Sequence, residues 1–261
     1  MKLLKTLLFM MIILFSSIII AQNPTHHIDF AYGAAYNLEL DWTYSRLAKR
    51  GFNHDVNLTY FKQSNDKLFS IEAKYMTGLL GTKGNNENKV SNLVTDFLLK
   101  YLTKIDRFSN NKRVVFGGIS GDFRSNIWFP QVSRLRYGWD IHAGIGASIF
   151  TYYNISSKIS IQYEMDLPFI GVLWRSHNNG QQLVTEEIQL EKGTAASAFE
   201  TPRFSHLLNT IYLDNSIKVN YDLADNFDLY YNWGFSYKYI KKPLIKKGFK
   251  FINLLGIKYK L

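Results

Sequence analysis

The chain has 261 residues, 46% of them hydrophobic and 16% aromatic, with a formal charge of +10 at pH 7 and no cysteine. Without thiols, disulfides, thiolate metal sites, cysteine nucleophiles and lipid attachment through cysteine are all excluded. The excess positive charge favours anionic partners such as phosphorylated lipid or acidic glycan.

The chain opens MKLLKTLLFMMIILFSSIIIAQ, with Lys2 and Lys5 ahead of an apolar run from Leu7 to Ile20 and a small residue at Ala21. A basic start, an apolar centre and a small residue at the cut form a secretory signal peptide. The run is short of the roughly 20 residues of a transmembrane helix. Residues 1–21 are therefore expected to be removed, leaving 22–261 as a single domain with a charge of +8 once Lys2 and Lys5 are gone. Export makes nucleic acid an unsuitable partner.

From there the sequence alternates. In 28–44, Ile28, Phe30, Tyr32, Tyr36, Leu38, Leu40, Trp42 and Tyr44 share one face, against Asp29, Asn37, Glu39 and Asp41 on the other. Val56, Leu58 and Tyr60 repeat the period, as do Phe69, Ile71, Ala73 and Tyr75. The stretch 93–102 fits a strand or a short amphipathic helix, and 113–123 is interrupted by Gly117, Gly118 and Gly121. Trp139, Ile141, Ala143, Ile145, Ala147 and Ile149 alternate with Asp140, His142, Gly144, Gly146 and Ser148. One apolar parity then runs through 159–173, and others through 211–223, 227–239 and 249–261. Period two marks strands with one greasy and one polar face. Tight turns are expected at 63–67, 154–157 and 223–226, with longer links at 77–92, 124–137 and 175–204 and further breaks at 48–52, 104–112 and 240–248.

The greasy face of the six clearest strands contains no Asp, Glu, Lys or Arg. A lipid-facing charge at the bilayer midplane costs roughly 2–4 kcal/mol, which enforces such purity. A soluble sandwich core would also exclude charge, so length decides. These strands are more than twice the roughly five or six residues usual in soluble domains. Tyr36, Trp42, Tyr44, Tyr237, Tyr239 and Tyr259 sit near strand ends, where amphipathic rings suit a membrane interface. The expected fold is all-β: a transmembrane antiparallel up-and-down β-barrel of about 10 strands (8–12), which also removes the open edges that lipid would not tolerate.

The final residues GIKYKL place Gly256, Tyr259 and Leu261 in a glycine-x-x-aromatic-x-hydrophobic spacing. This resembles the signal by which outer-membrane barrels engage the barrel-assembly machinery. The IIIAQ signal ending and the Asn/Lys/Ile/Tyr-rich composition resemble exported proteins of the Bacteroidota, and DLPFIGV (166–172) resembles a motif of uncharacterised barrels in that group. The resemblance implies the outer membrane of a Gram-negative bacterium, with both chain ends in the periplasm. The links on the opposite rim then carry Lys49, Arg50, Arg124, Arg134, Arg136, Lys241, Lys242, Lys246 and Lys247. Such a rim suits outer-membrane lipid and the phosphates of lipopolysaccharide.

Candidate chemistry centres on Asp140 and His142, whose spacing turns both into the lumen, with Glu164 and Asp166 inward on the neighbouring strand. A carboxylate that orients an imidazole makes it a general base. The Asp-x-His spacing resembles the dyad of omptin proteases, also ten-stranded barrels, although no matching pair of adjacent aspartates stands on an early strand. The same groups equally suit a satisfied polar filling of a narrow barrel. Ser148 shares the His142 face but lies roughly 20 Å down the strand; Ser205 and His206 are adjacent and face opposite sides. The adjacent His26 and His27 near the new N-terminus are a weak metal-binding pair, and His54, His177 and His206 show no ligand spacing, so no metal or cofactor is expected. Inward Tyr212, Tyr230, Lys218 and Lys238 would fill the bore and oppose an open pore. A non-enzymatic structural, binding or surface-interaction role is the leading expectation, then a barrel-embedded hydrolase, then a narrow channel or transporter.

Overall fold

A computed structural model describes residues 25–41, 48–82, 85–130, 138–175, 202–241 and 245–261. Nearly all of them are strand: β1 (Thr25–Asp41), β2 (Lys49–Gln63), β3 (Lys67–Thr82), β4 (Asn85–Lys104), β5 (Arg113–Pro130), β6 (Gly138–Asn154), β7 (Ile159–Arg175), β8 (Arg203–His206), β9 (Thr210–Ala224), β10 (Phe227–Ile240) and β11 (Lys246–Lys260). Every neighbour is antiparallel, and β1 pairs with β11 from His27↔Lys260 to Asp41↔Lys246, closing the sheet on itself. Residues 93–102 lie within β4, so the alternation there is that of a strand, and the glycines of 113–123 are absorbed into β5. The long link expected over 77–92 is strand for most of its length, because β3 runs to Thr82 and β4 starts at Asn85.

Eleven strands make ten staves. The upper half of β7 pairs with β8, from Ile170↔His206 to Leu173↔Arg203. Its lower half pairs with β9, from Ile159↔Tyr221 to Asp166↔Asp214. More chain separates His206 from Asp214 than separates Ile170 from Asp166, and the surplus is looped out at 207–209. There the Asn209 side chain replaces a missing neighbour strand. Its Nδ2 donates to the Phe204 carbonyl at 3.0 Å and its Oδ1 accepts from the His206 amide at 2.9 Å. Both bonds satisfy backbone groups of β8.

A second irregularity lies on β7 itself. Ile145 pairs with Ile170 but Gly146 pairs with Pro168, so Phe169 is an extra residue. Proline has no N–H to contribute to a ladder, and a bulge absorbs the gap. One extra residue inverts the facing of everything after it. Ser160, Gln162 and Asp166 are buried before the bulge; Leu173 and Arg175 are buried after it. The single parity expected through 173 therefore breaks at Phe169, and Leu173 is a lumen residue packed with Tyr212 and Ile240.

The molecule is inside out by the standards of a soluble protein. Phe30, Tyr32, Ile119, Ile145, Trp233 and Leu255 are among many large apolar side chains exposed on the outer wall, while Asp29, Glu72, Lys100, Asp140 and Lys258 are buried within. A soluble sandwich would bury the first set and expose the second. The solvent this wall suits is lipid. The turns at 64–66, 105–112, 155–158 and 225–226 share one end with Thr25 and Leu261, and the strand ends Asp41, Lys49, Thr82, Asn85, Pro130, Gly138, Arg175, Ile240 and Lys246 share the other. Near the turn end, Phe61, Leu68, Leu102, Phe116 and Phe150 form an apolar plug.

Candidate functional site

Above the plug, the lumen holds paired charges, some along one strand and some across the bore. Lys100 on β4 reaches Asp166 on β7 at 2.8 Å and also pairs with Glu164, and Ser148 donates to Asp166 at 2.5 Å. Glu72 takes Lys74 at 3.1 Å and the Asn57 amide at 2.6 Å. Lys218 pairs with Asp29 at 2.5 Å, beneath the Tyr230 ring. Glu164 and Asp166 do face inward as expected, and their partner is a lysine rather than a histidine.

Asp140 and His142 both lie in the lumen, but the structure does not bring them together. Asp140 sits between Lys238 and Lys246, each 2.5 Å from one carboxylate oxygen. Lys246 also reaches Glu39 at 2.7 Å and lies over the Trp128 ring, and it is fully buried. It begins β11 rather than lying in a link, so the expected contact of Lys246 with lipid phosphate is corrected: its charge is spent inside the barrel. Of the other rim candidates, Arg50, Lys241 and Lys247 are exposed and Lys49 is half-buried. Arg124, by contrast, points into the bore. Arg134, Arg136 and Lys242 lie outside the described residues.

His142 has different partners. Its Nδ1 is 2.8 Å from Asp122 Oδ2 on β5, and its Nε2 is 3.2 Å from Ser205 Oγ on β8. Ionised Asp122 only accepts, so in the neutral ring Nδ1 carries the proton and Nε2 is left to accept from the serine hydroxyl. Asp122 is held in turn by Arg124 Nε at 2.9 Å, and Arg124 is anchored on Asp214 at 2.5 Å. The Tyr212 ring packs on the imidazole with centroids 4.7 Å apart. Two glycines make the space: a Cβ on Gly144 would fall 2.5 Å from His142 Cε1, and one on Gly171 would fall 2.9 Å from Nε2. All three hydrogen-bonding members are buried, His142 and Ser205 to 1% and 3% exposure.

The sequence held His142 and, in its inward set, Gly144, but nothing in it joined them to Asp122 or Ser205. Asp122 stands in a glycine-broken segment. Ser205 stands on four residues of strand that reach Gly171 only because the bulge at Phe169 turns Gly171 inward.

Among the described residues, side chains fill most of the bore. Two interior cavities have volumes of about 70 and 40 Å³, one lined by Arg124, Asp140, Tyr212 and Asp214, the other by Asp55, Glu72, Lys100 and Asp166. At roughly 10–15 Å³ for each water centre, these hold a few waters and no solute. Tyr212, Tyr230, Lys218 and Lys238 all lie in this filling. A wider hollow of about 350 Å³ opens at the turn end, among His26, His27, Lys158, Asp228 and Lys258.

The architecture defines a class, the closed ten-stave antiparallel barrel with a polar interior and an apolar wall. No protein-family model matches the chain, and no curated protein matches it. Among solved structures, the outer membrane protease OmpT of Escherichia coli superposes with a TM-score of 0.57 at 7% identity, over 92% of this chain and 99% of that one. The translocator domain of autotransporter NalP from Neisseria meningitidis gives 0.44 at 8% identity, over 94% and 91%. The attachment invasion locus protein Ail of Yersinia pestis gives 0.32 at 12% identity, over 92% and 100%. At such identity the likeness to OmpT is one of fold: this chain has the barrel of Gram-negative outer-membrane proteins.

Proposed function

We propose that the protein is a sealed barrel of a Gram-negative outer membrane that acts through its rims and wall, in a binding or surface-interaction role, rather than as a diffusion pore. The observation that carries this is the filled bore: ion pairs and aromatic side chains occupy the space that a solute would need. Removal of residues 1–21 on export, and engagement of the assembly machinery by Gly256, Tyr259 and Leu261, belong to the same reading. Gly256 has a structural use as well, since a Cβ there would collide with the inward Tyr230 ring.

The rim opposite the chain ends supplies the anionic contact. Arg50, Lys241 and Lys247 are free to meet lipopolysaccharide phosphates through charge-assisted hydrogen bonds, and exposed charges of this kind lose their pull as salt rises. Purified folded barrel in planar bilayers should show no conductance of porin size. It should bind lipopolysaccharide micelles more tightly than dephosphorylated ones, a preference that the triple substitution Arg50→Gln/Lys241→Gln/Lys247→Gln removes. A large steady conductance would overturn the sealed-barrel reading; equal binding to both micelles would overturn the phosphate contact.

A further inference from the structure

We propose that the hollow at the turn end is a binding site for a short peptide, held through its terminal carboxylate by Lys258. The hollow lies at the end of the barrel opposite the basic rim, so the site is independent of the lipopolysaccharide contact. Its volume of about 350 Å³ falls within the roughly 300–1,000 Å³ of sites that hold small ligands, whereas the two cavities of the bore have room only for water. Strand ends of β1, β6, β7, β9, β10 and β11 surround it. The apolar plug backs one side, where His27 stacks on Phe61 with ring centroids 4.6 Å apart.

Lys258 is what makes the hollow a site for an anion. Three lysines are buried among the described residues, Lys100, Lys246 and Lys258. Lys100 has a carboxylate oxygen at 2.8 Å and Lys246 has one at 2.5 Å. For Lys258 the nearest carboxylate among the described residues is Asp228, at 4.0 Å, and that carboxylate already holds Lys260 at 2.8 Å. A buried ammonium without a close counter-charge is costly. Lys258 lines the hollow, so an anion that enters meets a cation with hydrogen-bond donors to offer. Asp228 limits the charge that anion can carry. A carboxylate brings one negative charge beside it, and a phosphate brings up to about two, so the carboxylate is the better match.

Two further groups point to a peptide. Gln162 is 6% exposed and lines the hollow, and its side-chain amide makes no hydrogen bond among the described residues. An amide that both donates and accepts is the complement of a peptide group. Asp222 also lines the hollow, two staves from Lys258 at the same level of the ladder, through Lys258↔Asp228 and Asp228↔Asp222. Its side chain is 46% exposed and lies 3.5 Å from Lys260, which leaves it able to accept from an ammonium. Two staves put the backbones roughly 10 Å apart, and an extended dipeptide spans about 7 Å. Its carboxylate therefore reaches Lys258 while its ammonium reaches Asp222, and a free amino acid is too short to do both.

The test uses the dipeptide alanyl-alanine and full-length mature protein, folded in detergent and verified by its heat-dependent gel mobility. Isothermal titration calorimetry should show saturable binding. Alanyl-alanine amide, which lacks the carboxylate, should bind roughly 10–100-fold more weakly, the worth of one charge-assisted hydrogen bond. Lys258→Met should weaken the dipeptide by the same factor. Gln162→Glu keeps Lys258 and sets a like charge in the hollow, so it should weaken the dipeptide even if Lys258→Met fails to fold. Free alanine and inorganic phosphate should both bind more weakly than the dipeptide. The assignment is overturned if folded wild type gives no saturable heat, if the amide binds as tightly as the acid, or if either folded variant binds as wild type does. Tighter binding of phosphate would overturn the carboxylate class, and equal binding of alanine would overturn the peptide length. None of these outcomes bears on conductance or on lipopolysaccharide binding.

Discussion

The wall running β10–β11–β1–β2 and the wall running β6–β7–β8–β9 are built from the same alternating sequence, yet only the first keeps an unbroken register around β1 and β11. The second is bulged at Phe169, split between β8 and β9, and lined with glycine at 144, 146 and 171. The regular wall holds its polar side chains in ion pairs, such as Asp29 with Lys218 from β9, and in the chain Lys238–Asp140–Lys246–Glu39 that reaches β6. The irregular wall gathers His142 and Ser205 at one point. A ladder places side chains at fixed intervals, and two groups on it meet only if the intervals allow. A bulge re-aims the strand, and glycine lets an imidazole lie flat on the backbone, so departures from the ladder are where unlike groups can be made to touch.

The largest effect is expected on the irregular wall, where Lys100 reaches across from β4 to Glu164 and Asp166 of β7. Lys100→Met would leave buried Asp166 and half-buried Glu164 with no cation between them. Removing one member of a buried ion pair costs about 3–5 kcal/mol. A drop of that order in urea unfolding, followed in lipid vesicles by tryptophan fluorescence, is expected, with much of it restored by adding Glu164→Gln and Asp166→Asn. A loss below about 1 kcal/mol, the range of exposed pairs, would mean that water reaches this level of the bore.

A smaller effect compares glycine with glycine. Gly171→Ala puts a Cβ 2.4 Å from the Ala143 carbonyl oxygen and against His142 Nε2, whereas the nearest atom to a Cβ on Gly81, on β3, is Lys89 Cγ at 4.0 Å. Overpacking at Gly171 should cost about 1–3 kcal/mol. Gly81→Ala should change stability by no more than about 0.5 kcal/mol, as surface substitutions do. Equal effects at the two positions would mean that the irregular wall is packed no more tightly around Gly171 than the end of β3 is around Gly81. The smallest effect is expected at the split stave. Asn209→Ala deletes the two bonds that replace a neighbour strand, for a net loss of about 1 kcal/mol, and should speed hydrogen exchange at the His206 amide while leaving β10 and β11 protected.

Much of the barrel was legible in the residues themselves. The alternation of 227–239 and 249–261 assigns Trp233, Leu255 and Ile257 to the wall and Asp228, Tyr230 and Lys258 to the bore, and the structure agrees. Period two is a local property, fixed by the direction of successive Cβ atoms, and needs no knowledge of neighbours. The reading failed where facing depended on something other than count. Period two puts Leu173 on the wall, since nothing in LPFIGVL announces which residue is extra, and KKPLIKKG reads as a charged turn, which puts Lys246 in a link.

What the sequence determined alone is thus the kind of surface the protein presents: long two-faced strands, no thiols, an apolar wall and a basic rim, all set by residue type and spacing. Which polar groups meet inside was decided only by the closed sheet. Asp122, His142 and Ser205 come from β5, β6 and β8, and their meeting depends on pairing register, on the bulge at Phe169 and on the absence of side chains at Gly144 and Gly171. Register is a property of strand pairs and bulges belong to the ladder, so a partner for His142 exists only once the chain has closed around it.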